Sequence, residues 1–192
     1  WYPGSLRRLM RGYADLYERL FDAARRHGMA VYALTDYCFF HPAIDARLDE
    51  TGEAPLDVFA ETVDAAFGRW PDLADVVGAG QETFASRLVA TRPEDARALL
   101  RRLLPTFEAA GKTLVLRTWT LGAGPVGDLL WNPATYDAVF AGIDSPALVV
   151  SIKYGPADFF RFLETNPTLF RGPQRKLVEF QCRREYEGMG EF

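Results

Sequence analysis

The stretch that decides the fold is ALVVSIKYGPAD, residues 147–158. Its first six residues are apolar or small and rich in β-branched side chains, which is typical of a strand buried on both faces of a parallel sheet. Lys153 ends this strand, and the glycine and proline that follow predict a loop containing Asp158. The stretch therefore predicts a buried parallel strand with a lysine and an aspartate at its carboxyl end.

Four more segments of this kind occur along the chain, and helical segments separate them. The other predicted strands span 30–34, 75–80, 114–116 and 176–182. Apolar residues spaced three and four apart predict amphipathic helices. These helices span 4–27, 56–68, 91–110 and 133–141. Strands that alternate with helices predict βαβ units and a parallel sheet.

The spacing of the strands indicates which parallel fold they form. No G-x-G-x-x-G opens a helix after the first strand, which counts against a dinucleotide-binding fold. The strands start about 37 residues apart on average, so eight such units need about 290 residues, within the range of a (β/α)8 barrel. The chain has 192 residues. We therefore predict the α/β class: residues 1–192 form a single domain, a fragment of a catalytic (β/α)8 TIM barrel, with about five parallel strands and flanking helices.

The composition excludes several classes of protein. The formal net charge is −4, with 22 Lys and Arg against 26 Asp and Glu, so we expect no nucleic-acid partner. No apolar run reaches the ~20 residues that a membrane span needs, so we expect no membrane partner. Cys38, just beyond the first predicted strand, and Cys182, at the end of the last one, are expected to be buried reduced thiols. His27 and His41 lack metal-ligand spacing, so no metal or other cofactor is expected. The chain begins at Trp1 with no visible signal peptide, which favours the cytoplasm.

Charged residues stand at the carboxyl ends of the predicted strands, where parallel barrels place their chemistry. In chain order they are Asp36, Glu82, Arg117, Lys153, Asp158, Glu179 and Glu185. Burying an unpaired charge costs several kcal/mol, so we expect these groups to pair or to bind a charged ligand. Paired carboxylates suggest glycoside hydrolysis by an acid and a base, and the two cations suit a substrate carboxylate. Trp119, Glu179 and Gln181 complete the predicted substrate-binding residues.

Two segments in the second half of the chain resemble motifs of one enzyme family. Residues 150–159, VSIKYGPADF, resemble the I-K-N-G-P-x-D-F motif of glycoside hydrolase family 67, the α-glucuronidases. Residues 179–188, EFQCRREYEG, resemble its E-[FL]-Q-x-x-Q-E-Y-x-G motif. Residues 167–170 and 116–119 are similar to its S-P-L-F and W-R-x-F stretches. The resemblance spans roughly 100–190 and implies the barrel fold of that family.

The resemblance also implies an inverting, α-glucuronidase-like glycosidase whose partner is an oligosaccharide or glycan carrying a carboxylate. Asp158 and Glu185 match the two carboxylates that activate the attacking water. Arg117 and Lys153 match the cations that contact the uronic acid carboxylate. By order and spacing, Glu82 is the candidate for the general acid. The oligomeric state stays open.

Two other functions stay open beside this one. Lys153 lies at a strand end among carboxylates, and a lysine in that place is what a Schiff-base aldolase would use. The Q-P-G-P residues of the family's general-acid motif do not follow Glu82. Their absence favours a barrel that binds sugars without turning them over.

Overall fold

A computed structural model describes residues 2–36, 41–71, 73–79, 93–118, 129–155 and 164–180. Its helices are α1 (Gly4–Arg26), α2 (Pro42–Thr51), α3 (Pro55–Arg69), α4 (Pro93–Ala110) and α5 (Pro133–Phe140), with a 3₁₀ helix at Pro167–Phe170. Its strands are β1 (Val31–Asp36), β2 (Leu73–Ala79), β3 (Thr113–Arg117), β4 (Leu148–Lys153) and β5 (Arg175–Glu179). The five predicted strands are thus present, with ends that differ by a few residues.

The strands form one parallel sheet in the order β1-β2-β3-β4-β5. Each strand pairs with the next one along the chain, and the register sets Leu116 beside Val150 and Lys153 beside Glu179. The predicted α/β class with parallel strands is confirmed. Because all four pairings are parallel, the carboxyl ends of all five strands lie along the same end of the sheet.

Helix α2 was not predicted, because the segment around it reads as a polar stretch. His41 precedes the helix, and its Nδ1 accepts a hydrogen bond from the backbone N of Ala43 at 3.1 Å. The helix buries only Ile44 and Leu48, so its apolar periodicity is too sparse to identify a helix. His41 therefore caps the N-terminus of α2.

The hydrophobic core lies between one face of the sheet and helices α3, α4 and α5. The strand residues at its centre are almost fully buried: Leu114, Leu116, Leu148, Val150 and Ile152. Phe107 of α4 meets Phe67 of α3 edge to face, with ring centroids 5.1 Å apart. Fully burying such a side chain stabilises the fold by about 1.5–3 kcal/mol. Helix α4 continues through Pro105, and buried residues on both sides of that proline hold the helix against the sheet.

The opposite face of the sheet carries polar side chains towards the carboxyl ends of the strands. Side chains alternate between the two faces of a strand. Since Leu116 and Ile152 face the core, Arg117, Ser151 and Lys153 point to the opposite face. The register of β4 with β5 adds Glu179 to the same face. This face positions the candidate site.

Helix α1 has the predicted amphipathic pattern, but none of its residues is buried. Its C-terminal half contacts the end of α3: the rings of Phe21 and Trp70 are 5.8 Å apart, and Arg69 donates to Glu18 at 2.9 Å. The α1 stripe is defined as its exposed apolar residues Leu9, Met10, Tyr13, Leu16, Tyr17 and Leu20. The helix therefore presents most of its apolar face to solvent.

The two outer strands of the described sheet also expose apolar side chains. Tyr32 and Leu34 of β1 are 52% and 68% exposed. At the other side of the sheet, Leu177 and Val178 of β5 and the following Phe180 are exposed as well. The side chains of the central strands β3 and β4 are, by contrast, buried or half-buried.

The buried phenol of Tyr136 predicts a loss of stability at alkaline pH. Burial, aided by the Asp137 carboxylate, raises the pKa of Tyr136 to about 12, from 10.0. The phenol therefore favours the folded state below pH 10, and up to roughly 2–3 kcal/mol of this contribution is lost between pH 10 and pH 12. The melting temperature measured from pH 10 to pH 12 should fall more steeply for the wild type than for Tyr136→Phe. Tyr13→Phe, at an exposed position, should follow the wild type; parallel curves for all three proteins would contradict the prediction.

Candidate functional site

An ionic cluster joins the carboxyl ends of strands β3, β4 and β5. The Nε of Arg117 donates to both carboxylate oxygens of Glu179, at 3.0 and 3.1 Å. The hydroxyl of Ser151 donates to Oε1 of the same carboxylate at 2.7 Å. Ser151 thus lies on the strand between the two charged partners and donates to the carboxylate of one of them. One residue from each of three neighbouring strands contributes to the cluster.

The cluster is partly withdrawn from water. The side chains of Arg117 and Glu179 are 25% and 18% exposed, and Lys153, which pairs in register with Glu179, is buried. Charges in such a place interact more strongly than charges in bulk solvent, because less water screens them. Two cations and one carboxylate on one face of the sheet are able to hold an anionic group or to orient hydroxyl groups.

Asn166 fixes the backbone around the cluster. Its fully buried amide Nδ2 donates to the carbonyls of Leu130 and Lys153, at 2.6 and 3.1 Å. Its Oδ1 accepts from the backbone N and the hydroxyl of Thr168, at 3.0 and 2.7 Å, and its backbone N donates to the carbonyl of Tyr154 at 2.7 Å. One side chain therefore ties the end of β4 to two loops. We missed Asn166 in the sequence, although the dipeptide Asn166-Pro167 is a known turn signal.

Two aromatic rings lie next to the cluster. The rings of Tyr154 and Phe180 have centroids 4.9 Å apart and an interplanar angle of 30°. The backbone N of Tyr154 donates to the carbonyl of Glu179 at 3.1 Å, and this bond holds the ring pair at the end of β4 and β5. Phe180 is 65% exposed. The pair therefore forms a partly exposed apolar surface at the carboxyl ends of β4 and β5.

Three of the predicted site residues, Arg117, Lys153 and Glu179, lie together at this edge of the sheet. Ser151 is not among the predicted site residues, because a small polar residue within an apolar strand is common. The predicted catalytic residues Glu82, Asp158 and Glu185, and the predicted substrate-binding residues Trp119 and Gln181, lie outside the described residues. Their roles stay predictions, as does the use of Lys153 by a Schiff-base aldolase.

Two further findings concern the described part of the chain alone. Within it, no group of three or more His, Cys, Asp or Glu side chains is placed to hold a metal ion. None of its helices is both long enough and apolar enough to cross a membrane.

Comparison with known proteins identifies no family for this chain. No family model and no curated protein sequence matches it. One solved structure, the crystal structure of a D-tagatose 3-epimerase-like protein, is 17% identical, with a TM-score of 0.46, and the match covers 72% of this chain and 50% of that one. The chain thus spans about half the length of this neighbour.

These comparisons overturn the predicted resemblance to glycoside hydrolase family 67. The motif similarities that suggested it are short, and they cover strand ends and the loops that follow. Buried strands ending in a charged residue and a Gly-Pro loop satisfy the general requirements of a parallel sheet, so such segments match between unrelated proteins. The prediction that this chain is an α-glucuronidase of that family is therefore wrong.

Proposed function

We propose that this chain is a sugar-processing enzyme with its site at the carboxyl ends of β3, β4 and β5. The observation that carries the proposal is the partly buried cluster of Arg117, Ser151 and Glu179, with Lys153 on the neighbouring position of the same face. We further propose that residues 1–192 are one domain and form part of a β/α barrel. The sequential pairing of the five parallel strands supports this, because barrel strands follow one another in that order.

The chemistry of the cluster favours a ligand that carries both hydroxyl groups and a carboxylate. Arginine and lysine side chains form charge-assisted hydrogen bonds with carboxylates, while serine and glutamate side chains exchange hydrogen bonds with hydroxyl groups. The rings of Tyr154 and Phe180 supply an apolar surface. A few polar groups beside apolar walls are typical of small-molecule sites. An acidic sugar fits this combination.

In this proposal Glu179 orients the site and does not transfer protons. Both of its carboxylate oxygens accept from Arg117, and one also accepts from Ser151, so the carboxylate is held in one position by cationic and neutral donors. Proton transfer falls to the predicted carboxylates Glu82, Asp158 and Glu185, which follow strands in the chain. The glycosidase reaction predicted for them stays a prediction, so the test must detect hydrolysis and epimerisation alike.

The proposal is tested with matched pairs of acidic and neutral sugars. Glucuronic acid is compared with glucose, and galacturonic acid with galactose, both free and as simple glycosides. Calorimetry measures binding, and proton NMR of the same mixtures detects a released sugar or a new diastereomer. We expect an acidic member to bind at least tenfold more tightly than its neutral partner, and Lys153→Met to weaken that binding by about 10- to 100-fold, the worth of a charge-assisted hydrogen bond.

Lys176→Met is the matched control, since Lys176 donates to the carbonyls of Gly172 and Gln174 near the start of β5, away from the cluster. It should bind the acidic sugar as the wild type does. Equal affinity for acidic and neutral sugars, or an equal effect of the two lysine substitutions, would contradict the proposed ligand. Binding without any chemical change would favour the predicted sugar-binding barrel over an enzyme.

A further inference from the structure

The two carboxylate oxygens of Glu179 differ in the hydrogen bonds that they accept. Oε1 accepts from the Nε of Arg117 at 3.0 Å and from the hydroxyl of Ser151 at 2.7 Å. Oε2 accepts from the same Nε at 3.1 Å, and among the residues that the structure describes no other donor contacts it. Each carboxylate oxygen has two lone pairs. Oε1 is therefore saturated, while Oε2 is able to accept one more hydrogen bond.

Ser151 determines which oxygen keeps this capacity, and β3 holds Ser151 in place. The carbonyl oxygen of Ser151 accepts from the backbone N and the hydroxyl of Thr118, at 3.0 and 3.2 Å. These bonds fix the backbone from which the serine hydroxyl reaches Oε1. The Glu179 side chain is 18% exposed, so part of it stays in contact with solvent. Oε2 thus offers a ligand hydroxyl an acceptor whose orientation the protein fixes.

Lys153 lies beside this acceptor on the same face of the sheet. It pairs in register with Glu179, and neighbouring strands of a sheet are about 4.8 Å apart. Under the proposed function, Lys153 binds the carboxylate of an acidic sugar. A ligand that also donates to Oε2 therefore needs a hydroxyl group within about 5 Å of its carboxylate.

We propose that Oε2 of Glu179 accepts a hydrogen bond from the ligand hydroxyl that lies next to the ligand carboxylate. In the pyranose form of a uronic acid this is the 4-hydroxyl, on the ring carbon adjacent to the one that bears the carboxylate. The 2-hydroxyl lies on the far side of the ring and is out of reach of the same pair of side chains. The site then selects sugar acids with a free 4-hydroxyl. This inference rests on the proposed function and narrows its class of ligand.

Deoxy sugars test this inference on the wild-type chain. Glucuronic and galacturonic acids differ only in their configuration at carbon 4, so one 4-deoxy compound is the analogue of both. Their methyl glycosides, which stay in the pyranose form, are compared by calorimetry with the 4-deoxy and 2-deoxy analogues. We expect the 4-deoxy compound to bind at least about tenfold more weakly than the tighter-binding parent, the usual worth of a hydrogen bond to a charged group. The 2-deoxy analogue should bind within about threefold of its parent, because it keeps that bond.

The double variant Arg117→Met/Glu179→Leu identifies the group that contacts the 4-hydroxyl. It lacks the Glu179 carboxylate, so the parent acid and the 4-deoxy analogue should bind to it with affinities within about threefold of each other. Arg69→Met/Glu18→Leu is the matched control, because it removes an ion pair that is exposed and lies between α3 and α1. This control variant should keep the full difference between the two ligands.

The same titrations separate a failure of this inference from a failure of the proposed function. A 4-deoxy analogue that binds to the wild type as tightly as its parent acid would overturn the inference alone. A difference between these ligands that persists in Arg117→Met/Glu179→Leu would also overturn it, because another group would then contact the 4-hydroxyl. Equal affinity for acidic and neutral sugars, or no binding of any of these acids, would contradict the proposed function and this inference with it.

Discussion

Replacing Asn166 with aspartate should lower the free energy of unfolding by about 3–5 kcal/mol, the usual cost of an uncompensated buried charge. The amide Nδ2 of Asn166 donates to the carbonyls of Leu130 and Lys153. A carboxylate in its place would face two carbonyl oxygens that are acceptors only. The residue is fully buried, so little water is available to relieve the repulsion. Urea unfolding at pH 7 measures the effect.

Asn132→Asp is the matched control for this substitution. Asn132 also precedes a helix with Pro at its first turn, but its Oδ1 accepts from the backbone N of Ala134 and Thr135 at 2.9 and 3.4 Å. A carboxylate keeps these bonds and suits a helix N-terminus, so stability should be unchanged or slightly higher. Lowering the pH should reduce the difference in the free energy of unfolding between Asn166→Asp and Asn132→Asp, because the protonated carboxyl at position 166 is able to donate to a carbonyl. Equal effects at both positions would show that Asn166 does not work through its amide donors.

Substituting only one residue of the Arg117–Glu179 pair should destabilise the fold more than substituting both. We expect Glu179→Leu to cost about 2–3 kcal/mol, somewhat less than for a fully buried pair because both side chains keep some solvent exposure. The substitution removes the Glu179 carboxylate, which accepts from both Arg117 and Ser151. The double variant Arg117→Met/Glu179→Leu should recover at least half of this loss. Denaturant unfolding of the four proteins in the cycle measures the coupling.

The pair of Arg69 and Glu18 serves as the control cycle. These side chains are 45% and 49% exposed and meet at 2.9 Å, so their geometry is comparable but their screening by water is much stronger. Their coupling should lie below about 1 kcal/mol, as for other surface ion pairs. If the two cycles gave the same coupling energy, the Arg117–Glu179 pair would contribute no more to stability than an exposed pair. That result would contradict the proposal that this pair organises the site.

Local patterns in the sequence were enough to predict most of the elements. The apolar run that ends at Lys153 forms β4, and residues 4–27, with apolar side chains three and four apart, form α1. Both were predictable because strand and helix periodicities are properties of neighbouring residues. Helix α2 escaped prediction because it buries only two side chains. The pattern of α1 predicted a helix correctly but not what would cover it, since an amphipathic face indicates that a partner exists without identifying the partner.

The sequence by itself determined which charges stand at strand ends, because Arg117, Lys153 and Glu179 each follow an apolar run that forms a strand. Only the tertiary structure decided that Arg117 and Glu179, 62 residues apart in the chain, form an ion pair and that Ser151 donates to the same carboxylate. It also decided that Asn166 ties the end of β4 to its neighbouring loops. The physical reason is that strand register and loop paths depend on contacts between distant parts of the chain, which a local pattern does not contain.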